Sequence, residues 1–187
     1  MKRSVLFAIF ICVAVIQLLL PVVMIARREN VLKTGQPFKL QTAPVDPYDA
    51  FRGRYVALRY DLRSTPLAHG HTFENAQTVY AVLEGDAEGF GKITSLHHKR
   101  PDTDTSLKLQ LNSVTPVEAR FSLPFDRFYM DEFEAPEAER VYWQNARRTN
   151  RTAYVQIRVK NGLGVIEELY VQDMPIRKFI SYIATKK

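Results

Sequence analysis

The segment Pro44-Val-Asp-Pro-Tyr-Asp-Ala-Phe-Arg-Gly-Arg-Tyr-Val-Ala-Leu-Arg-Tyr60 holds the most concentrated set of groups able to recognise a ligand. Arg52, Arg54, Tyr55 and Arg59 would form a cationic, aromatic patch for an acidic ligand or a lipid headgroup. Guanidinium groups bind carboxylates and phosphates through paired hydrogen bonds, and anionic headgroups attract clustered Lys and Arg. The plainer reading makes the same segment a fold-defining turn and core strand. Asp46-Pro47 favours a turn, Asp49 can cap the bend through Phe51, and Gly53 supplies a backbone angle other residues resist. A second cluster runs Phe125-Asp-Arg-Phe-Tyr-Met-Asp-Glu-Phe133. Arg127 and Tyr129 suit a recognition edge, since aromatics and Arg dominate binding hot spots. In the alternative, its aromatics cover the core while Asp126, Arg127, Asp131 and Glu132 stay in solvent.

Other chemistry is thinner. His69 and His71 are two apart, so on a strand both imidazoles would face one side and could share a metal, with Glu84 or Asp86 completing the set. Of His97 and His98 only one could join, because neighbouring strand residues face opposite ways. Both pairs sit in polar stretches where solvated histidines are ordinary, so no metal site and no cofactor are expected. Ser95, Ser106, Ser113 and Ser122 stand in no recognisable nucleophile motif, and GxSxG, HExxH and phosphate-loop patterns are absent. The single cysteine, Cys12, excludes a disulfide scaffold and cysteine zinc sites.

These candidates need elements to hold them. The chain has 187 residues, 46% hydrophobic and 11% aromatic, which fits one globular unit behind a targeting segment. From Ser4 to Ala26 only Ser4 and Gln17 are polar, and 23 residues of helix reach about 34 Å, enough for a hydrocarbon core. That run exceeds a signal peptide's apolar region of about 7–15 residues, and Met24-Ile25-Ala26 is a poor cleavage site. The reading is an uncleaved anchor over residues 1–28 and one domain over 29–187. The expected placement is the inner (cytoplasmic) membrane, a short basic tail inside and the domain on the extracytoplasmic side. The net charge of +6 says little about nucleic acid. Setting aside Lys2, Arg3, Arg27 and Arg28 leaves 22 basic against 20 acidic residues, and no nucleic-acid partner is expected.

Residues 29–45 read as a connector entering a first strand at Phe38 and Leu40. Alternation over Tyr55–Leu62 places Val56, Leu58, Tyr60 and Leu62 on one face. With Tyr55 on the other face, this reads as an interior strand covered on both sides. Further strands are expected at Thr78–Leu83, Lys92–His97, Leu107–Val114, Ala119–Leu123, Ala153–Val159 and Val165–Val171. Asn161-Gly162 marks a hairpin. One helix begins at Pro136 and ends near Arg147 and Arg148, burying Ala138, Val141, Tyr142 and Ala146. Ile176, Phe179, Ile180 and Ile183 outline a short amphipathic helix that could lie on the bilayer surface or dock on the domain, and docking is expected. The fold class is mainly β (β-rich α+β): a transmembrane helix followed by one antiparallel β domain with one or two minor helices.

Gly53, Tyr55, Leu58 and Tyr60, preceded by Asp46, Pro47, Asp49 and Arg52 in a DPxDxxRG lead-in, resemble the GDYxxLxY-motif family of bacterial membrane-anchored proteins. Arg54 stands where the namesake acid would be, so a proton transfer or cation contact resting on that carboxylate would be lost here. The resemblance implies a membrane-tethered extracytoplasmic module, often encoded near multi-spanning membrane proteins, and implies no particular reaction. The function read from all this is a non-enzymatic binding or accessory module for an integral membrane partner. The alternatives are a tethered signal-peptidase-like hydrolase and a metal-holding domain.

Overall fold

The computed structural model describes residues 3–43, 55–70, 72–146 and 152–186. Helix α1 runs unbroken over Arg3–Thr34, through Pro21. It is long and apolar enough to span a membrane, and protein covers none of its most apolar window. The helix does not stop at residue 28, and the expected connector is two further helical turns. Glu29 and Lys33 pair at 3.1 Å across one turn, and Thr34 Oγ1 donates to the Asn30 carbonyl at 2.7 Å. The ion pair favours continued helix. After Gly35 the chain enters β1 at once (Gln36–Ala43).

The strands follow as β2 (Tyr55–Ala57), β3 (Arg59–Tyr60), β4 (Ser64–Pro66), β5 (Thr78–Gly85), β6 (Gly91–His97), β7 (Ser106–Val114), β8 (Glu118–Ser122) and β9 (Arg127–Tyr129). Helix α2 (Ala135–Asn145), β10 (Ala153–Lys160), β11 (Leu163–Val171), β12 (Met174–Pro175) and α3 (Ile176–Thr185) complete the chain. One five-stranded sheet is ordered β12-β11-β10-β1-β3 and another β4-β8-β7-β5-β6, while β2 and β9 form a separate two-stranded ribbon. All these ladders are antiparallel.

One apolar cluster fills the space the sheets share. Leu40, Val155, Ile157 and Leu169 come from the first sheet, and Val79, Leu83, Leu107, Leu111 and Phe121 from the second. Ala138, Val141 and Tyr142 of α2 and Ile176 and Phe179 of α3 close it. The period-two patterning dictates this, because each strand has one apolar face to hide. The expected hairpin forms at Asn161-Gly162, with φ of +53° and +87°. Those angles are the pair a type I′ turn needs. Helix α2 starts with proline in its first turn as expected, while Arg147 and Arg148 lie outside the described residues. Helix α3 docks on α2, β11 and β12, with Ile180 and Ile183 packed against the core.

The stretch 55–62 departs from expectation. Its burial alternates as anticipated, with Val56, Leu58 and Tyr60 inside. It is nevertheless two short strands rather than one interior strand. The Leu58 N–H donates to the Asp126 carbonyl at 2.8 Å, in register with the β2–β9 pair, so the stretch changes partner strand just past Leu58. Before that point β2 pairs with β9; after it β3 pairs with β1 as a sheet edge. Large groups occupy both faces because α2 packs on β2 on one side and β9 side chains meet Tyr55 on the other.

Candidate functional site

The β2–β9 ribbon brings together two segments some seventy residues apart, with register Tyr55↔Tyr129, Val56↔Phe128 and Ala57↔Arg127. Parity turns Val56 and Phe128 toward the core and leaves Tyr55, Arg127 and Tyr129 on the outer face. The Tyr55 and Tyr129 rings lie 5.9 Å apart between centroids, tilted by 54°. Arg127 Cζ stands 5.0 Å from the centroid of the Tyr55 ring, within cation–π range. The hydrogen bond that Arg127 donates to Tyr129, then the charge of Asp126, hold its guanidinium above its ordinary pKa, so it stays cationic. The Arg127 Nε is 3.7 Å from Asp126 Oδ1. Tyr129 is 66% exposed, so the assembly offers an aromatic face beside a charge already fixed in place.

Three of the six nominated binding residues, Tyr55, Arg127 and Tyr129, therefore form one surface. Arg59 is exposed on β3, past the Leu58 break and opposite Ala43 of β1. Arg52 and Arg54 lie outside the described residues, as do Asp46, Pro47, Asp49 and Gly53 of the lead-in. Of the motif residues described, Leu58 and Tyr60 are core groups, 6% and 4% exposed. The Tyr60 ring meets Phe125 edge-on at 5.8 Å. Its hydroxyl is buried with no hydrogen-bond partner among the described residues, and burial pushes the phenol well up from its ordinary pKa. Tyr142 of α2 is also buried and pushed up to about 12, but its hydroxyl donates to the Ala43 carbonyl at 3.0 Å.

The second aromatic cluster divides. Phe125 joins the core and Phe128 packs against it, whereas Tyr129 and Phe133 project outward, Phe133 at 91% exposure. The pairing of this cluster with β2 was not legible from sequence. The only available signal was the alternation in Asp126-Arg127-Phe128-Tyr129, too short to read as a strand.

The histidines have structural neighbours. His69 lines an open cleft with Phe73, Glu74, Asn75, Val114 and Pro116; His71 lies outside the described residues. His97 Nε2 lies 2.9 Å from Ser95 Oγ on the exposed side of β6. His98 stacks on Phe73 at 4.5 Å, and its Nδ1 accepts from Gln77 Nε2 at 2.9 Å. The Gln77 amide is oriented by the Glu74 N–H donating to its Oε1. His98 Nε2 then faces Thr72 Oγ1 at 2.9 Å as the donor. Among the described residues no three of His, Cys, Asp and Glu gather as a metal set. Ser106 is buried and donates to the Thr103 carbonyl at 3.2 Å, while Ser122 accepts from Asn112 at 2.7 Å.

Fold and ribbon together define a β-rich α+β domain carried behind one apolar helix. Residues 17–169 match the family model described as GDYXXLXY protein, and the chain belongs to that family. No curated protein and no solved structure matches it.

Proposed function

We propose that the protein is a single-pass, membrane-anchored accessory module of the inner membrane, its domain on the extracytoplasmic side, binding an integral membrane partner through the β2–β9 ribbon. The observation that carries this reading is the outer face of Tyr55, Arg127 and Tyr129. An exposed ring beside a guanidinium held over a second ring is the composition of a binding hot spot, with little side-chain freedom left to lose on association. Position supports a protein partner over a lipid headgroup for this patch. The ribbon adjoins the Ala43 end of β1, and seven rises of about 3.3 Å separate that end from α1, roughly 23 Å along the strand. A membrane partner with an extramembrane portion suits that separation from the helix end. Tethering to the same membrane raises the effective concentration, so a small patch suffices.

The test is photocrosslinking in native membranes from position 129 of the full chain. An adduct with a multi-spanning membrane protein is expected, reduced several-fold by Arg127→Glu. If no membrane-protein adduct forms, or if Arg127→Glu leaves the yield unchanged, the reading fails.

A further inference from the structure

We infer that the end of the domain beside α1 is a lipid-facing base that docks on anionic headgroups and fixes the domain's attitude; this rests on α1 crossing a bilayer. The junction has no slack. The Gly35 N–H donates to the Val31 carbonyl at 2.8 Å, and Val31 is 4% exposed. A Cβ on Gly35 would stand 2.5 Å from that carbonyl and 3.1 Å from the Val159 carbonyl, so helix end and β10 are nearly in contact. Arg158 Nη1 donates to the Gly35 carbonyl at 3.2 Å and Lys160 Nζ to Thr34 Oγ1 at 2.8 Å. The domain inherits the direction of the helix, so headgroup contact at this end biases the tilt of helix and domain together; the β10–β11 turn lies beside the helix end.

Distance decides what this end can sense. Thr34 is eight residues beyond Ala26, where the uninterrupted apolar run ends, or roughly 12 Å along the helix. The headgroup layer takes up about 5–7 Å of that. What remains is within one Debye length, about 8–10 Å in ordinary salt. The Tyr55 ribbon lies past the far end of β1, roughly 23 Å along the strand from this junction.

The charge near the junction is of the right sign. Arg27, Arg28 and Lys33 ring the helix end, and Lys160 adjoins it. The Arg100 stem passes the β10–β11 turn, its Cδ 3.9 Å from where a Gly162 Cβ would be, with Lys99 next in chain. Against these stand Glu29, paired with Lys33, and the exposed Asp102 and Asp104. Leu163 sits opposite Lys160 across the hairpin and is 39% exposed. An apolar side chain among cations suits the headgroup boundary.

The experiment uses the full chain with Cys12→Ser, labelled at Leu163→Cys or Tyr129→Cys, in phosphatidylcholine vesicles with or without phosphatidylglycerol. A headgroup-quencher lipid should quench the label at 163 more strongly when phosphatidylglycerol is present, and leave the label at 129 unchanged. Lys99→Gln with Arg100→Gln should lower the docked-to-undocked ratio about fivefold per charge removed. Molar salt should abolish the difference without any further substitution, because the Debye length falls to about 3 Å. Equal quenching in both lipids, or quenching indifferent to salt and to the double substitution, overturns the base. Loss of the chain from vesicles in a carbonate wash would instead overturn the membrane-spanning reading beneath it.

Discussion

Two buried phenols on neighbouring elements should respond in opposite directions to the same substitution. Tyr60 is 4% exposed and its hydroxyl has no partner among the described residues. Tyr142 is 1% exposed and its hydroxyl donates to the Ala43 carbonyl at 3.0 Å. Removing a buried, unpaired hydroxyl recovers a desolvation penalty of about 1–3 kcal/mol. The opposing loss is a few dispersion contacts of about 0.1–0.2 kcal/mol each, and the Phe125 edge contact is retained. Tyr60→Phe should therefore stabilise the fold by about 1 kcal/mol. Tyr142→Phe discards the hydrogen bond of a buried hydroxyl, so it should cost about 1–2 kcal/mol. Urea unfolding of the full chain in detergent micelles, read by the fluorescence of the single tryptophan, Trp143, separates the two. With a slope of about 1–3 kcal/mol per molar, the midpoints should move apart by roughly 1 M or more in sum. A loss above about 1 kcal/mol for Tyr60→Phe at unchanged slope would mean the hydroxyl is bonded in the native state, and the reasoning would be refuted.

Three further outcomes are expected. The Arg158 hydrogen bonds, followed by the one from Gln156, hold the Glu167 carboxyl below its ordinary value of 4.5. Stability from this pair is thus present above pH 4.5 and lost as pH falls through the depressed folded value. Glu167→Gln should cost about 1–3 kcal/mol at neutral pH and progressively less in acid, seen in unfolding curves taken across that range. Asn145, 6% exposed, donates to the Val141 carbonyl at 2.8 Å and accepts from Thr152 at 3.0 Å and Gln172 at 3.1 Å. Asn145→Ala should cost about 2–3 kcal/mol by leaving those donors unpaired, and a change below about 0.5 kcal/mol would contradict the network. Gly35→Ala should distort the last turn of α1 where it meets β10 at about 1–3 kcal/mol, exposing the Thr34–Gln36 junction to added protease in micelles.

The sequence by itself determined whatever depends on local periodicity and backbone chemistry. The apolar run set α1, alternation set which side of each strand is buried, and Asn161-Gly162 set a turn that needs two positive φ angles. The i, i+3, i+4 spacing at Ile176, Phe179 and Ile180 likewise set the face on which α3 docks. Pairing partners were beyond its reach. Val56 and Tyr60 keep the same parity whether the stretch is one strand or two, so the break at Leu58 left no trace in the pattern. It arises because the stretch changes partner there, from β9 to β1, and no local rule connects either strand to residue 58. The same holds for the candidate site. Tyr55 and Tyr129 were each conspicuous alone, but only the tertiary fold makes them one surface, because cross-strand register depends on what the core on the far side of Val56 and Phe128 can accommodate. The end of α1 follows the same logic. Its extension to Thr34 is settled by Val31 and Gly35 packing against β10 and β11, contacts more than a hundred residues away in the chain.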